Sequence, residues 1–263
     1  MSLLGADNSI KKAPVFFVGH GSPMNAILQN DFTTSLNKLG KTLEAPKAIL
    51  VVSAHWMIAH HSVSIHTTNE LIYDMYGFPE ELYKVQYPAP NAKFLFPVIK
   101  KIFPHIETAD RGLDHGSWSI LKHLYPSVDI PIMQFAINTN LSLKEHFEVG
   151  KQLSKLRERG VMIVGSGNVT HNLSQVNPDI NATVLPWVKE FDEYIKKAIL
   201  SRDYDLLINI EKQMPYTRMA HPTIEHYIPI LYCAGASDKN DKISFLYERI
   251  EHGSLSMRNW LYL

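Results

Sequence analysis

The sequence has little of several features that define common protein classes. It contains a single cysteine, Cys233, so an internal disulfide and a cysteine-based zinc site are both excluded. Because this cysteine lies in an apolar run, residues 228–236, we expect a buried and unreactive thiol. Basic and acidic side chains balance at 26 each, so no excess of positive charge is present to attract nucleic acid or an anionic membrane.

Long hydrophobic segments and the common catalytic motifs are also missing. No apolar run approaches the roughly 20 residues that a membrane-spanning helix needs. The first residues do not form an apolar segment followed by a small-residue cleavage site, so we predict a cytoplasmic protein. The sequence has no phosphate loop, no G-x-S-x-G elbow and no H-E-x-x-H helix. These absences disfavour phosphoryl transfer and serine or zincin-type hydrolysis.

What the sequence does contain is an alternation of short β-type runs and helical patterns. The length of 263 residues, without repeat or linker, predicts an N-terminal tail at 1–13 and a single catalytic domain at 14–263. We predict strands at 15–18, 48–52, 62–66, 131–137 and 161–164. We predict helices at 32–43, 92–102, 117–124, 143–159, 185–200, 203–213 and 223–233. Strands that alternate with helices indicate an α/β fold, with a mostly parallel sheet and helices on both faces.

Three of the 13 histidines follow predicted strands. The first is His20, which follows strand 15–18; the others are His55, after strand 48–52, and His171, after strand 161–164. Small residues surround each of these histidines. Ligands of open α/β sheets bind at the carboxyl ends of the strands, where these side chains are expected. Each histidine alone could simply hydrogen-bond a loop backbone. Together, His20 and His55 favour a metal site, and neutral imidazole suits zinc, iron, copper or nickel.

Two further histidines lie in patterned contexts. His115 is in a glycine-bounded loop before a helix that Ser117 is predicted to cap, although it could also only anchor that loop. Glu225 and His226 are predicted to be neighbours on a helix that Pro222 opens, so they would point about 100° apart and only one could face a given metal. His221 is interpreted as a capping or supporting residue. The remaining histidines are interpreted as surface or packing residues: His60, His61, His66, His105, His123, His146 and His252.

Several short blocks, in order along nearly the whole chain, carry a family resemblance. The sequence resembles the class III (LigB-type) extradiol ring-cleavage dioxygenases and, within them, the 4,5-DOPA dioxygenase extradiol subgroup. The blocks are His20-Gly21-Ser22-Pro23, Ser53-Ala54-His55-Trp56, Tyr76-Gly77-Phe78-Pro79, Gly112-Leu113-Asp114-His115-Gly116, Thr170-His171-Asn172-Leu173, His221-Pro222-Thr223 with Glu225-His226, and Gly253-Ser254-Leu255-Ser256-Met257-Arg258.

The resemblance implies a three-layer fold with a mixed central sheet and one divalent metal ion per chain. Its implied activity is Fe(II)-dependent opening of a catechol next to the diol, with O2 as co-substrate. His20, His55 and His226 take the places of the metal ligands. His171 takes that of the acid/base residue, and in a zinc-loaded protein it could be a fourth ligand. His115 is similar to a second active-site histidine that steadies substrate or oxygen.

One departure from the general iron pattern leaves the third ligand open. That pattern is two histidines and one carboxylate, whereas here His226 competes with Glu225 for the third place. Three neutral ligands would also favour zinc in the isolated protein, and zinc cannot support oxygen activation because it is redox-inert. Two other functions therefore remain as alternatives: a zinc-dependent hydrolase, and a non-enzymatic ligand-binding protein on the same fold.

Overall fold

A six-stranded sheet forms the centre of the structure, a computed structural model that describes residues 12–66 and 69–263. Most of the predicted N-terminal tail, residues 1–13, therefore lies outside the described residues. The strands are β1 Val15–Gly19, β2 Ala48–Ser53, β3 Met57–Ile58, β4 Ser62–Ser64, β5 Glu107–Ala109, β6 Ile132–Gln134, β7 Ile137–Asn138, β8 Val161–Gly167, β9 Ile243–Tyr247, β10 Ile250–Glu251, β11 Leu255–Ser256 and β12 Asn259–Tyr262. The helices are α1 Asp31–Thr42, α2 Phe96–Ile102, α3 His115–Leu124, α4 Leu143–Leu153, α5 Pro186–Ser201, α6 Tyr204–Ile208, α7 Ile210–Gln213, α8 Thr217–Ala220 and α9 Ile228–Ala236.

The order of strands in this sheet is β6-β2-β8-β1-β12-β9. Neighbouring strands are parallel from β6 to β1, and β12 and β9 extend the sheet in antiparallel orientation. Every residue of β1, β2 and β8 is buried, as expected for strands that are covered on both faces. The sheet confirms the predicted α/β fold with a mixed, mostly parallel sheet.

Alternate residues of the central strands contribute to two separate hydrophobic cores. In β1, Val15 and Phe17 pack in the core that α2, α4, α5 and α9 cover, whereas Phe16 and Val18 pack in the core under α1 and α3. The separation follows from strand geometry, because successive side chains point to opposite faces of a sheet. Helices therefore lie on both faces, which confirms the predicted three layers.

Side-chain caps set the starts of several helices. Asn30 and Ser142 form capping boxes at α1 and α4. At α3 the cap is Asp114, whose Oδ1 accepts from the Ser117 backbone N–H at 3.2 Å. The prediction that Ser117 caps this helix is therefore wrong, because the acidic side chain three residues earlier already satisfies that N–H.

Other element predictions differ from the structure at breaks in the chain. The predicted helix 223–233 is wrong at its start, because residues 222–227 form bends and turns and α9 begins at Ile228 with Pro229 in its first turn. The predicted helix 203–213 is interrupted at Asn209, and 143–159 ends as a 3-10 helix, Ser154–Arg159. Strands β9 and β12 are not predicted by the sequence patterns.

The cysteine and the hydrophobic segments agree with the sequence predictions. Cys233 is fully buried in α9, and burial raises the pKa of its thiol. Trp56 and Trp118 are also buried. Within the described ranges, no helix is both long and apolar enough to cross a bilayer.

Candidate metal centre

The carboxyl ends of three adjacent strands carry the histidines that the sequence singles out. Strand β8 lies between β1 and β2, and all three run parallel. His20 directly follows β1, His55 comes two residues after β2, and His171 comes four residues after β8. The structure therefore brings together side chains that are far apart in the chain, at the edge where ligands of such sheets bind.

The imidazoles of His20 and His55 meet with their Nε2 atoms 3.1 Å apart. Metal–imidazole bonds of 2.0–2.1 Å place two ligand nitrogens of one ion about 2.9–3.4 Å apart, depending on the angle between the bonds. The observed separation lies in that range. It fits two side chains that are aimed at a common ion.

The hydrogen-bond partners of His20 fix which of its nitrogens is free. The Ser166 hydroxyl donates to the Gly116 carbonyl oxygen at 2.6 Å, so its oxygen accepts from His20 Nδ1–H at 2.9 Å. The His20 Nε2 atom is then left with its lone pair. Gly116 must lack a side chain, because a Cβ there would lie 2.8 Å from Ser53 Oγ and 3.0 Å from the ring of His55.

His226 presents its Nε2 in the same way. Its Nδ1 lies 3.0 Å from Glu225 Oε1, and a carboxylate can only accept, so Nδ1 carries the hydrogen. The Nε2 atom is buried without a hydrogen-bond partner, which is costly unless a ligand satisfies it. The His226 ring centre lies 5.2 Å from that of His20 and 5.0 Å from that of His55.

Glu225 and His226 do not stand on a helix, so the expected angle of about 100° between them is wrong. Both lie in the turn before α9. The His226 carbonyl accepts from the Asn168 N–H at 3.0 Å. Glycine at 167 permits this approach, because a Cβ there would lie 2.2 Å from the same carbonyl oxygen. The close packing of this turn on the end of β8 directs His226 toward the other histidines.

His171 lies face to face with His226 rather than edge-on toward the centre of the cluster. The ring centres are 3.5 Å apart and the planes are nearly parallel, at 6°. Lone pairs of imidazole nitrogens lie in the ring plane, so those of two stacked rings run parallel and do not converge on one point. This arrangement supports a role for His171 beside a metal rather than on it.

His115 completes the cluster from the first turn of α3. Its ring centre is 4.0 Å from that of His55 and 5.6 Å from that of His20. Two groups of three side chains have ligand atoms within 4.8 Å of one another: His20, His55 and His115 in one group, and His171, Glu225 and His226 in the other. The rings of both groups adjoin, so five histidines form a single site.

Burial keeps four of these imidazoles neutral: His20, His55, His171 and His226. It is the main cause of pKa values well below the usual one for His20 and His226, with the neighbouring histidines adding to the effect. Burial also lowers the pKa of His55 and of His171 to about 4. Neutral imidazole is the form that binds a metal. A buried Nε2 without a partner and converging neutral rings fit a bound divalent ion.

Comparisons with known proteins agree with this site. Residues 13–257 match the family described as the catalytic LigB subunit of aromatic ring-opening dioxygenase. The chain belongs to the LigB family. It is 41% identical over 256 residues to the 4,5-DOPA dioxygenase extradiol of Escherichia coli K12, with 95% of this chain and 94% of the relative covered. It is 35% identical over 264 residues to the 4,5-DOPA dioxygenase extradiol of Beta vulgaris, with 96% and 97% covered.

A solved structure is also similar to this LigB-family protein. The crystal structure of an uncharacterized protein from Escherichia coli K12 aligns with a TM-score of 0.82 at 36% identity, covering 95% of this chain and 99% of that one. The family assignment confirms the predicted class, a metal-dependent extradiol ring-cleavage dioxygenase that acts on a small molecule with O2.

Some residues of this LigB-family site were not predicted from the sequence. Asp74 approaches both His55 and His115, and Ser166 orients His20. Ser166 lies between Gly165 and Gly167 at the end of β8, and its hydroxyl also donates to the Gly116 carbonyl. Asp74 lies two residues before the block that begins at Tyr76, which is the one signal that could have drawn attention to it.

Proposed function

We propose that this LigB-family protein is an Fe(II)-dependent extradiol dioxygenase whose substrate is a DOPA-like catechol. The observation that carries the proposal is the buried Nε2 of His226, which has no hydrogen-bond partner, on a ring whose centre lies 5.2 and 5.0 Å from those of His20 and His55. The names of the relatives from Escherichia coli and Beta vulgaris support the choice of substrate.

In this proposal His20, His55 and His226 hold the metal, and residues 14–263 act as one catalytic domain. Hydrogen-bond partners support the assignment, since Ser166 and Glu225 occupy the Nδ1 atoms of His20 and His226 and leave each Nε2 free. Metal-binding histidines typically donate their other N–H to such a partner. Glu225 is then an orienting residue rather than the third ligand.

When bound, an Fe(II) ion would lower the pKa of the phenol and hold the diol and O2 next to one another. The proton transfers belong to the chain. His171 is neutral because burial lowers its pKa to about 4, so at neutral pH a ring nitrogen can accept the phenolic proton and later return one. His115, at the opposite side of the histidine cluster, would steady substrate or oxygen. The proposed compartment is the cytoplasm, where a ferrous ion is kept reduced.

The structure gives one reason to prefer this activity to zinc-dependent hydrolysis. A hydrolase would need a carboxylate free to act as a base, and Glu225 was the candidate. Its Oε1 instead accepts hydrogen bonds from His226 and from the Thr223 hydroxyl, both at 3.0 Å. Glu225 is therefore engaged in positioning, and zinc bound to the isolated protein would be a substitute for the working metal.

Anaerobic loading followed by oxygen uptake tests the proposal. Protein loaded with Fe(II) should consume O2 with DOPA and related catechols and give yellow ring-opened products, whereas zinc-loaded protein should not. His20→Ala and His55→Ala should lose most of the bound metal, and the exposed His60→Ala serves as the matched control. Full metal occupancy in either site variant would overturn the ligand assignment. Equal turnover with zinc would overturn the choice of metal.

A further inference from the structure

A single carboxylate, Asp74, contacts two histidines of the site from outside the cluster. Its Oδ1 accepts from the His115 backbone N–H at 2.9 Å and lies 3.0 Å from His115 Nδ1. The ring N–H of His115 does not point along that second contact, so it is electrostatic rather than a well-directed hydrogen bond. The other oxygen, Oδ2, lies 3.6 Å from His55 Nδ1.

The segment around Asp74 is held in place on both sides. The Ile72 N–H donates to the Leu113 carbonyl at 2.7 Å, and the Trp118 indole N–H donates to the Ile72 carbonyl at 3.1 Å. The Tyr73 hydroxyl donates to the Val85 carbonyl at 2.7 Å. Asp74 is an exposed residue, although only 21% of its side chain is accessible. The backbone that leads to Asp74 is therefore fixed by contacts outside the histidine cluster.

A carboxylate beside a neutral imidazole decides which ring nitrogen carries the hydrogen. It can only accept, so it favours the hydrogen on the nearer nitrogen, which is Nδ1 in both His55 and His115. The opposite nitrogen, Nε2, is then free to bind a metal or ligand. Without a metal, His55 Nε2 lies 3.1 Å from the bare Nε2 of His20 and donates to it, so metal binding requires this hydrogen to move to His55 Nδ1, beside Asp74.

We infer that Asp74 is a positioning residue that stabilises both His55 and His115 in the form that binds a metal or ligand, with Nδ1 protonated and Nε2 free toward the site. The consequence for metal binding and turnover rests on the proposed function. With Ser166 on His20 and Glu225 on His226, it gives each of the three proposed ligands a partner at Nδ1. Asp74 also joins a proposed ligand to a histidine that is proposed to contact substrate.

Asp74→Asn tests the inference because its amide would affect the two rings differently. The His115 backbone N–H should hold the amide oxygen at the place of Oδ1, which leaves the NH2 group facing His55 Nδ1. The form of His55 that can bind a metal, with its hydrogen on Nδ1, should then be disfavoured, while His115 keeps its hydrogen on Nδ1. Metal titrations report the first effect without any activity measurement, and long-range 1H–15N spectra of the metal-free protein report the form of His115. Asp74→Ala should remove the preference for a hydrogen on Nδ1 from both His55 and His115.

Metal affinity and turnover give the second measurement. Loss of such a partner costs about 10–100-fold in metal affinity, so Co(II) or Zn(II) titrations of Asp74→Asn should show a drop of that size. Asp110→Asn is the matched control, since Asp110 is an exposed carboxylate, paired with His66, on the segment that leads to His115. Unchanged metal affinity of Asp74→Asn would overturn the inference. If wild-type protein opens no catechol, the proposed function fails, and the spectra and metal titrations still decide the role of Asp74.

Discussion

Replacement of His171 by phenylalanine separates proton transfer from metal binding. The phenyl ring can keep the face-to-face contact with His226, now at 3.5 Å between ring centres, but it removes both ring nitrogens. Since the stacked rings do not aim at a common point, the variant should keep its iron. Acid/base catalysis typically contributes about 10²–10⁴-fold, which corresponds to about 3–5 kcal/mol in the activation barrier at 1.36 kcal/mol per tenfold. Turnover should fall by that factor, and the catechol KM should change much less.

The assay combines iron content, catechol-dependent oxygen uptake and thermal unfolding on the same preparation. His60→Phe is the matched control, because His60 is a half-exposed histidine paired with Glu107. A variant of His171 that loses its iron would show that this histidine is a ligand in the working enzyme. An iron-loaded, folded variant with wild-type turnover would remove the proton-transfer role. Lower thermal stability with unchanged turnover per folded molecule would mean that the imidazole only supports its loop.

Three further predictions concern the surroundings of the site and the core. Gly116→Ala should weaken metal binding at least tenfold in equilibrium titrations while the protein stays folded, because the new Cβ would lie 3.0 Å from the ring of His55. Glu225→Gln should weaken metal binding about 10–100-fold, whereas His226→Gln should abolish it, and the reverse order would make the carboxylate the third ligand. Burial lowers the pKa of His146 to about 4, below the unfolded value of 6.5, so the unfolded chain binds the proton first and stability should fall as pH drops between these values. Over this pH range, the free energy of unfolding of His146→Gln, measured with denaturant, should fall by up to about 3 kcal/mol less than that of the wild type.

The fold and the position of the site follow largely from local patterns. Strands β1, β2 and β8 are recognisable because each is a short, continuous apolar run, and parallel strands must end at one edge of the sheet. That rule is enough to place His20, His55 and His171 together. The C-terminal strands β9 and β12 escape prediction because residues at the antiparallel side of the sheet carry no distinct pattern, and β9 is only half-buried.

The details of the site depend on contacts between distant segments. Asp74 meets His115 across 41 residues of sequence, and His20 meets Ser166 across 146. Neither spacing can be read from periodicity, because loop packing alone brings the residues together. The position of His226 shows the same limit. The sequence pattern identifies it as a candidate ligand, but a helix rather than a turn is predicted there, so the expected relation between its side chain and Glu225 is wrong.

The distribution of charge would account for the proposed departure from two histidines and one carboxylate as metal ligands. Three neutral imidazoles would leave a divalent ion with its full charge, whereas a direct carboxylate ligand would cancel part of it. Here the carboxylates Glu225 and Asp74 lie behind the rings, within 3.6 Å of their Nδ1 atoms. In the proposed site this negative charge would reach the ligand nitrogens through the imidazoles and make them more basic ligands. Outer carboxylates would thus partly replace a carboxylate ligand, and three protein ligands would leave room at the metal for a catechol and O2.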